Sequence, residues 1–482
     1  MHTRKLCWFA PILLALGCTT VTPSRPNILF LFADDQRADT IGAWGNPYIE
    51  TPHLDQLASE GFSFRANYNL GSMHGAVCIP SRAMVNSGKS YFRLEPDLRD
   101  TVLLPEVLGA EGYTTFATGK WHNGRASWLR SFQRGTAVFF GGMSDHTLVP
   151  LQDLDEDGNL VNDRVDGFSS TVFADAVIDF LQTYEEEAPF YAYVAFTAPH
   201  DPRQPPVSYR NQYYENPPPL PANFLPQHPF NNSDSDLEGR DERLAAWPRT
   251  PEVIQDQLAE YYGLITHLDA EVGRILDVLA QSDYADNTYV IYAADHGLAL
   301  GSHGLLGKQS VYEHSQQSPL IILGPDVPHG ETTALTYLFD LVPTISRLTN
   351  TPPLDAIDGH DLSSLWQGTQ ESIRDSLFLA YRDVARAVRD NRYKLIRYPQ
   401  IDHTQLFDLQ TDPDELHNLA NNGAHTERIT ALTALLQDWQ QQLGDTQALT
   451  VTSPQPTTID LSDADRFPDQ WQPDWIVKKY FE

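Results

Sequence analysis

Four short apolar runs, each followed by charged or imidazole side chains, constrain this chain more than any other feature of its sequence. The runs cover residues 27–33, 113–117, 190–196 and 288–293. Helical patterns separate them, at 54–60, 170–184 and 251–279. Continuous apolar runs of this length are typical of strands buried on both faces, and strands that alternate with helices form mostly parallel sheets. We therefore predict an α/β fold with a large mixed, mostly parallel sheet flanked by helices.

The last quarter of the chain has a different pattern. Short strand-like runs lie at 377–380, 385–389 and 393–396, and an amphipathic helical pattern covers 424–443. Strand-like runs separated only by turn residues indicate antiparallel pairing. We predict a main domain over 27–370 and a C-terminal subdomain over 371–482, built as a smaller antiparallel sheet with one helix.

Residues 1–18 have the pattern of a targeting signal. Basic residues precede an apolar stretch that is too short to span a bilayer, and Gly17-Cys18 ends it. A small residue before a cysteine resembles the lipobox of bacterial lipoproteins. We predict export to the periplasm or the outer membrane, with lipidation of Cys18 and a tether at 19–26. An ordinary signal peptide or a short anchor is the alternative.

The charge balance narrows the class of partners. The chain has 33 basic and 64 acidic side chains, which gives a net charge of −31. Nucleic acid is excluded as a partner, because binding a polyphosphate requires a basic face. An anionic substrate would need a local cluster of cationic side chains and metal.

Side chains that follow the apolar runs would meet at one edge of the sheet, because ligands bind at the carboxyl ends of parallel strands. They are Asp34, Asp35, Lys120, His122, His200, Asp295 and His296. Three carboxylates at one edge would repel each other unless a cation lay between them, and oxygen ligands favour calcium or magnesium. The alternative for Asp34 and Asp35 is a pair of turn or capping residues.

Cys78 is the one cysteine outside the predicted signal, so the exported part would contain no internal disulfide. It opens the segment Cys-Ile-Pro-Ser-Arg, in which Pro80 suits the first turn of a helix and Gly88 its C-terminal end. The dipole at a helix N-terminus favours negative charge, so a thiolate nucleophile is one interpretation. A buried, inert thiol is the other.

These motifs together resemble those of one family over nearly the whole chain. C-x-P-S-R followed by S-G-K, the opening R-P-N-I-L-F-L-F-A-D-D-Q-R, T-G-K-W-H and A-D-H-G-L-A-L-G-S-H-G-L-L-G-K are similar to motifs of the formylglycine-dependent sulfatases. The resemblance implies an alkaline phosphatase-like fold and a sulfuric ester hydrolase. It also implies that a maturation enzyme converts Cys78 to formylglycine. The hydrate of this aldehyde would attack sulfur beside a bound Ca²⁺, with Mg²⁺ as the alternative ion.

The resemblance also implies a role for each matching position. The implied metal ligands are Asp34, Asp35, Cys78, Asp295 and His296, although many relatives have Asn where His296 stands. Arg82 would hold the diol and the carboxylates. Lys120 and Lys308 would clamp the sulfate oxygens. His122 would be the base for the diol, and His200 the acid near the leaving oxygen.

The predicted substrate is a sulfated carbohydrate. Candidate substrate contacts are His74, Asp201, Arg203, His303 and His314. The alternative for Asp201 is an ion pair with Arg203, and for His74 a plain loop position. Residues 201–250, rich in Pro and Asn, predict an ordered excursion near the mouth of the site. Two other functions stay open: a phosphonate or phosphodiester hydrolase of the same superfamily, and a non-catalytic lipoprotein that binds sulfated glycans.

Overall fold

A computed structural model describes residues 25–232, 239–458, 468, 472 and 474–482. The predicted signal at 1–18, with Cys18, lies outside the described residues. Within the described ranges, no helix combines the length and apolarity needed to cross a bilayer.

The described residues form seventeen strands and twelve α-helices. The strands are β1 Asn27–Ala33, β2 Phe62–Phe64, β3 Asn67–Tyr68, β4 Gly71–Ser72, β5 Thr114–Lys120, β6 Arg134–Phe139, β7 Leu151–Leu154, β8 Leu160–Arg164, β9 Phe190–Ala195, β10 Thr288–Ala294, β11 Leu320–Leu323, β12 Gly330–Thr332, β13 Thr336–Tyr337, β14 Ser376–Tyr381, β15 Ala385–Asp390, β16 Tyr393–Tyr398 and β17 His403–Asp408. The helices are α1 Pro52–Glu60, α2 Cys78–Ser87, α3 Leu104–Ala110, α4 Arg125–Ser131, α5 Ser169–Thr183, α6 Val207–Glu215, α7 Pro251–Ala280, α8 Glu313–Gln316, α9 Leu341–Thr349, α10 Ser363–Trp366, α11 Thr426–Leu443 and α12 Asp474–Tyr480.

A ten-stranded mixed sheet forms the main layer, in the order β12-β2-β11-β10-β1-β9-β5-β6-β7-β8. Its central strands β10, β1, β9, β5 and β6 run parallel. Four of them, β1, β5, β9 and β10, correspond to the four apolar runs. The predicted fold class is therefore confirmed. One boundary differs, because β5 continues to Lys120 and makes it the last residue of the strand instead of the first residue after it.

The central strand β1 is apolar throughout because both of its faces are covered. Ile28, Phe30 and Phe32 point into one core, which also contains side chains from α2, α3 and α9. Leu29 and Leu31 point into a second core with side chains from α1, α5 and α7. Since successive side chains of a strand face opposite sides, a strand between two helical layers requires an uninterrupted apolar run.

A second sheet of five strands has the order β17-β16-β15-β14-β4. Its strands β14, β15 and β16 correspond to the three predicted runs and are antiparallel as predicted. The strand β17 was not predicted and extends this antiparallel set, and α11 packs its apolar face on the sheet. The strand β4 was not predicted; it pairs in parallel with β14. At Gly71 the φ angle is 120° and a Cβ would lie 1.8 Å from the carbonyl oxygen of Ala380, so this pairing requires glycine. The smaller sheet is thus fastened to the segment that leads into Cys78.

The C-terminal segment crosses the Pro-rich excursion at 201–250. Its Thr457 carbonyl accepts from the backbone N–H of Asn231 at 2.8 Å. Gln472 Nε2 donates to the carbonyl of Arg240 at 3.2 Å. Ile476 of α12 is buried in the same apolar cluster as side chains of α7. The end of the chain therefore supports the excursion from outside.

A substitution at Gly119, one residue before Lys120, tests how closely β5 packs against β9. Its φ is 86°, and a Cβ there would lie 1.9 Å from the carbonyl oxygen of Ala195. Gly119→Ala should lower the free energy of unfolding by about 2 kcal/mol or more, because strain and a backbone clash add. The matched control is Gly444→Ala, at a φ of 75° with nothing within 4 Å of the added Cβ. The control should lower the free energy of unfolding by about 1 kcal/mol, because only the backbone strain applies there. Urea unfolding measures both, and equal losses would contradict the β5–β9 packing.

Candidate active site

The carboxyl ends of β1 and β10 bring the predicted acidic side chains together. Asp34 and Asp35 follow β1, and Asp295 follows its parallel neighbour β10. The φ of Asp35 is 66°, a left-handed conformation that Asp tolerates better than most residues. In this conformation the backbone N–H of Asp35 donates to Asp295 Oδ1 at 2.9 Å. The two strand ends therefore present their carboxylates to the same point.

Five buried side chains at this point are arranged to hold one cation. One ligand atom from each lies within 4.8 Å of the others; the residues are Asp34, Asp35, Cys78, Asp295 and His296. Asp34 Oδ1, Asp295 Oδ2 and His296 Nε2 are buried without a hydrogen-bond partner. Buried polar atoms without partners are costly, and a metal ion would satisfy all three. The mainly oxygen donor set fits Ca²⁺ or Mg²⁺.

Three cationic side chains surround this cluster. Lys120 Nζ donates to Asp34 Oδ2 at 2.5 Å, and Lys308 Nζ donates to both carboxylate oxygens of Asp35, at 2.7 and 3.0 Å. Arg82 lies between two aspartates, with Nη2 3.5 Å from Asp34 Oδ2 and Nε 3.4 Å from Asp295 Oδ2. All three cations are buried, so their positive charge is little screened by water.

The pKa values show how strongly the carboxylates interact. Burial alone would raise the pKa of Asp34, but Lys120, Arg82 and His200 together outweigh it and hold that pKa below its ordinary range. Burial and the neighbouring charge of Asp34 raise the pKa of Asp295 to about 7. Burial opposes the imidazolium of His296, yet Asp295 and Asp35 outweigh it and raise the pKa of His296 to about 9. The three carboxylates therefore lie close enough to perturb one another's pKa values, an arrangement that a divalent cation between them would stabilise.

Cys78 lies at the N-terminus of α2, inside this charged group. The helix has Pro80 in its first turn and ends at Gly88 in the left-handed conformation, as predicted. Ser81 Oγ donates to the carbonyl of Asp295 at 2.8 Å, which ties the helix to the end of β10. Burial raises the pKa of the Cys78 thiol, but Lys120 and Lys308 outweigh it and lower that pKa well below its usual range. Lys308 Nζ lies 3.1 Å from Cys78 Sγ.

A cavity of about 450 Å³ opens above Cys78. Its floor is formed by Cys78, His122, His200 and Lys308. The remaining lining residues are Gly75, Ala76, Gly142, Met143, Gly239, Arg240, Asp241 and Gln309. Three of these, Gly239, Arg240 and Asp241, belong to the excursion at 201–250, so this part of the excursion lies at the cavity.

Two of the predicted substrate contacts lie near the cavity. His74 is exposed in the loop, next to the lining residue Gly75. Asp201 is buried, and its carboxylate accepts hydrogen bonds from both terminal nitrogens of Arg240. The ion pair of Asp201 is therefore with Arg240 and not with Arg203.

Arg203 and His303 are placed elsewhere, which corrects the predicted substrate contact for both. Arg203 Nη1 donates to Gln257 Oε1 of α7 at 2.5 Å. The His303 ring stacks on Tyr312 at a centroid distance of 4.0 Å, with His314 beside both. Both corrected side chains are buried against neighbouring elements, outside the cavity lining.

Sequence analysis missed Arg240, Asp241 and Gln309. The position of Gln309 directly after Lys308 was a usable signal. Arg240 and Asp241 offered no such signal, since about 40 residues separate them from the H-D-P-R motif. Only the folded excursion brings them close to that motif in space.

A buried carboxylate cluster that could hold a divalent cation, with lysines beside it below a cavity, is the arrangement expected of a metal-dependent hydrolase of anionic esters. Comparison with known families makes the class specific. The Sulfatase family model matches residues 26–351, and the N-sulphoglucosamine sulphohydrolase C-terminal model matches 301–442. The chain belongs to the sulfatase family and is a sulfuric ester hydrolase.

Relatives and solved structures agree with this assignment. The arylsulfatase of Clostridium perfringens is 27% identical over 460 residues, 86% of this chain and 94% of that protein. The N-acetylglucosamine-6-O-sulfatase of Bacteroides thetaiotaomicron is 26% identical over 500 residues, covering 87% of each chain. A protein solved in complex with its substrate D-glucosamine-2-N,6-O-disulfate shares the fold, with a TM-score of 0.74 at 22% identity over 88% of this chain and 99% of that one. The phosphonate monoester hydrolase of Agrobacterium radiobacter also shares the fold, with a TM-score of 0.70 at 22% identity. The match covers 87% of this chain and 96% of that one. The predicted alkaline phosphatase-like fold is confirmed.

Removal of the divalent cation should destabilise the protein, because the buried carboxylates then lose their counter-charge. A chelator should lower the thermal unfolding midpoint, and adding back Ca²⁺ or Mg²⁺ at about 100 times its Kd should return about 2.7 kcal/mol. Scanning calorimetry measures this. Asp295→Asn should lose the response, whereas Asp283→Asn, at an exposed position before β10, should keep it. A full response in Asp295→Asn would place the ion elsewhere.

Proposed function

We propose that the protein hydrolyses a sulfate ester of a carbohydrate through a formylglycine made from Cys78 and a bound Ca²⁺, with Mg²⁺ as the alternative. One observation carries this proposal. The side chain of Cys78 lies among the metal-binding carboxylates and beside Lys308, at the floor of an open cavity. A nucleophile made at this position would meet the sulfur atom of a bound ester directly.

Formylglycine would supply a carbonyl that hydrates to a geminal diol, and the cation would supply a Lewis acid beside it. The protein's own side chains then have separate roles in binding and charge stabilisation. Lys308 and Lys120 hold the anionic oxygens and stabilise the charge that develops on them. Arg82 fixes the carboxylates of Asp34 and Asp295 by charge-assisted bonds.

The two cavity histidines have pKa values shifted in opposite directions, as an acid and a base require. Burial lowers the pKa of His122 and keeps its imidazole neutral, which suits a base for the diol. Burial also opposes the charged form of His200, but the carboxylates of Asp35 and Asp201 together outweigh it and raise the pKa of His200. Nδ1 of His200 lies 2.7 Å from the backbone carbonyl oxygen of Asp201, so Nδ1 carries a proton and Nε2 is left for the substrate. His200 is therefore the proposed acid for the leaving oxygen.

A carbohydrate substrate is supported by the cavity and by the relatives. A volume of about 450 Å³ accommodates a sulfated sugar, and polar groups of Arg240, Asp241 and Gln309 line its wall. One relative acts on N-acetylglucosamine 6-O-sulfate by name, and one neighbour was solved with a sulfated glucosamine.

The second candidate function is hydrolysis of a phosphonate or phosphate ester. It is favoured by the shared fold of the phosphonate monoester hydrolase. The two activities would use the same metal site and lysines. Turnover of 4-nitrophenyl sulfate against 4-nitrophenyl phosphate and phenylphosphonate separates them, and a preference for the phosphorus esters by orders of magnitude would overturn the sulfate assignment.

Export and maturation complete the proposal. The targeting pattern at 1–18 and the lipobox-like Cys18 support an exported lipoprotein of the periplasm or outer membrane. The partner for maturation is a formylglycine-generating enzyme, which the segment from Cys78 to Arg82 supports.

Cys78→Ala should lower turnover of 4-nitrophenyl sulfate by about 10⁴-fold or more, because it removes the nucleophile. Cooperative unfolding should persist, since the change removes one atom from a site held by ion pairs. Mass spectrometry of the wild-type peptide should show an aldehyde in place of the thiol. Loss of folding in Cys78→Ala would instead make Cys78 a packing residue, and an unmodified thiol in fully active enzyme would contradict the formylglycine.

His200→Gln should affect substrates according to their leaving group. Turnover of a sugar sulfate should fall by about 10²-fold or more, because an alkoxide needs a proton as it leaves. Turnover of 4-nitrophenyl sulfate should fall much less, because nitrophenolate leaves without one. Steady-state kinetics on both substrates checks this, and equal losses would assign His200 a different task.

A further inference from the structure

Next to the floor, one wall of the cavity is a chain of bonded side chains that starts beside Lys308. Both terminal nitrogens of Arg240 donate to the carboxylate of Asp201. Arg240 also pairs with Asp241 Oδ1. Asp241 Oδ2 accepts from Gln309 Nε2 at 2.7 Å, and the same amide donates to the carbonyl of Gly75 at 2.9 Å. Of the residues in this chain, Gly75, Arg240, Asp241 and Gln309 line the cavity, and Asp201 is not among the lining residues.

This wall has a net negative charge. Its single guanidinium lies between two carboxylates, so Arg240, Asp201 and Asp241 together sum to minus one. Burial would favour the neutral acid at Asp241, but Arg240, Lys308 and the hydrogen bond from Gln309 together outweigh it and lower the pKa of Asp241. The same guanidinium lowers the pKa of Asp201 against its burial. Both carboxylates are therefore charged at neutral pH, and Arg240 has little positive charge to offer a ligand.

The floor and the wall thus differ in what they accept. At the floor, Lys308 and His200 face the space above Cys78 and suit the anionic sulfate. The remainder of a bound ester must occupy the rest of the cavity, beside Asp241 and Gln309. A second anionic group there would meet a carboxylate in a partly desolvated space, where like charges repel more strongly than in water. Hydroxyl groups would instead donate to that carboxylate.

We propose that Asp241 is a specificity-determining residue, which selects esters whose leaving group carries hydroxyls and disfavours a second carboxylate or sulfate near the scissile bond. This inference rests on the proposed function and narrows its substrate class to neutral, monosulfated sugar units. Gln309 orients Asp241, and the excursion that carries Arg240 supplies the wall.

Two aryl sulfates with leaving groups of similar acidity test the selection. The probes are 4-nitrophenyl sulfate and its 3-carboxylate derivative, which adds one negative charge to the leaving group. The wild-type enzyme should prefer the neutral probe in kcat/KM. In Asp241→Asn the ratio of neutral to carboxylated kcat/KM should fall about tenfold, which corresponds to about 1.4 kcal/mol. Asp283→Asn changes the net charge equally at an exposed position and should leave the ratio unchanged.

Binding provides a measurement that does not depend on turnover. Cys78→Ser, as the test protein, would be titrated calorimetrically with both probes, alone and combined with Asp241→Asn. The ratio of Kd values should change in the same direction as the ratio of kcat/KM. If neither probe is turned over by wild-type enzyme with verified formylglycine, the proposed function fails while the Kd ratio still decides the selection. A wild-type preference for the carboxylated probe, or a ratio unaffected by Asp241→Asn, would overturn the role of Asp241.

Discussion

The structure depends on the balance of three buried aspartates against three buried cations at the end of the central strands. Asp34, Asp35 and Asp295 cannot lie this close in a dry interior unless positive charge is fixed beside them. Lys120 supplies it from the last residue of β5, and Lys308 from the loop after β10. Because those cations come from different segments, the charge cluster forms only when β1, β5 and β10 are in register. The same contacts that stabilise the sheet edge therefore also assemble the site.

Cys78 is held in this cluster from two sides. Toward the large sheet, Ser81 bonds to the carbonyl of Asp295. Toward the small sheet, the preceding segment is anchored where β4 pairs with β14, a contact that only glycine permits at residue 71. The C-terminal subdomain thus has a direct structural task at the active site, since it fixes the start of the segment that ends in Cys78.

The sequence predicted the parts whose signal is local. Apolar runs located the central strands, and charged residues directly after them located the cluster, because parallel strands deliver their carboxyl ends to one edge. The strand β4 was missed because two residues carry no periodicity. Arg203 was wrongly expected in the cavity, since the direction of a side chain three residues after His200 is set by contacts with α7. Arg240 was missed because its neighbour in space, Asp201, is distant in the chain.

A net charge of −31 does not prevent this chain from binding an anion, because the effect of each charge depends on its distance from the site. Surface carboxylates act through water, and their field decays within about 8 Å at physiological ionic strength. Lys308 acts from the buried floor of the cavity, and Lys120 lies buried beside Asp34, so both charges are little screened. The capture of the first anionic group is therefore local and strong. The wall around Asp241 is where the acidity of the chain reaches the substrate at short range, so acidity acts on the choice of leaving group and not on the capture of sulfate.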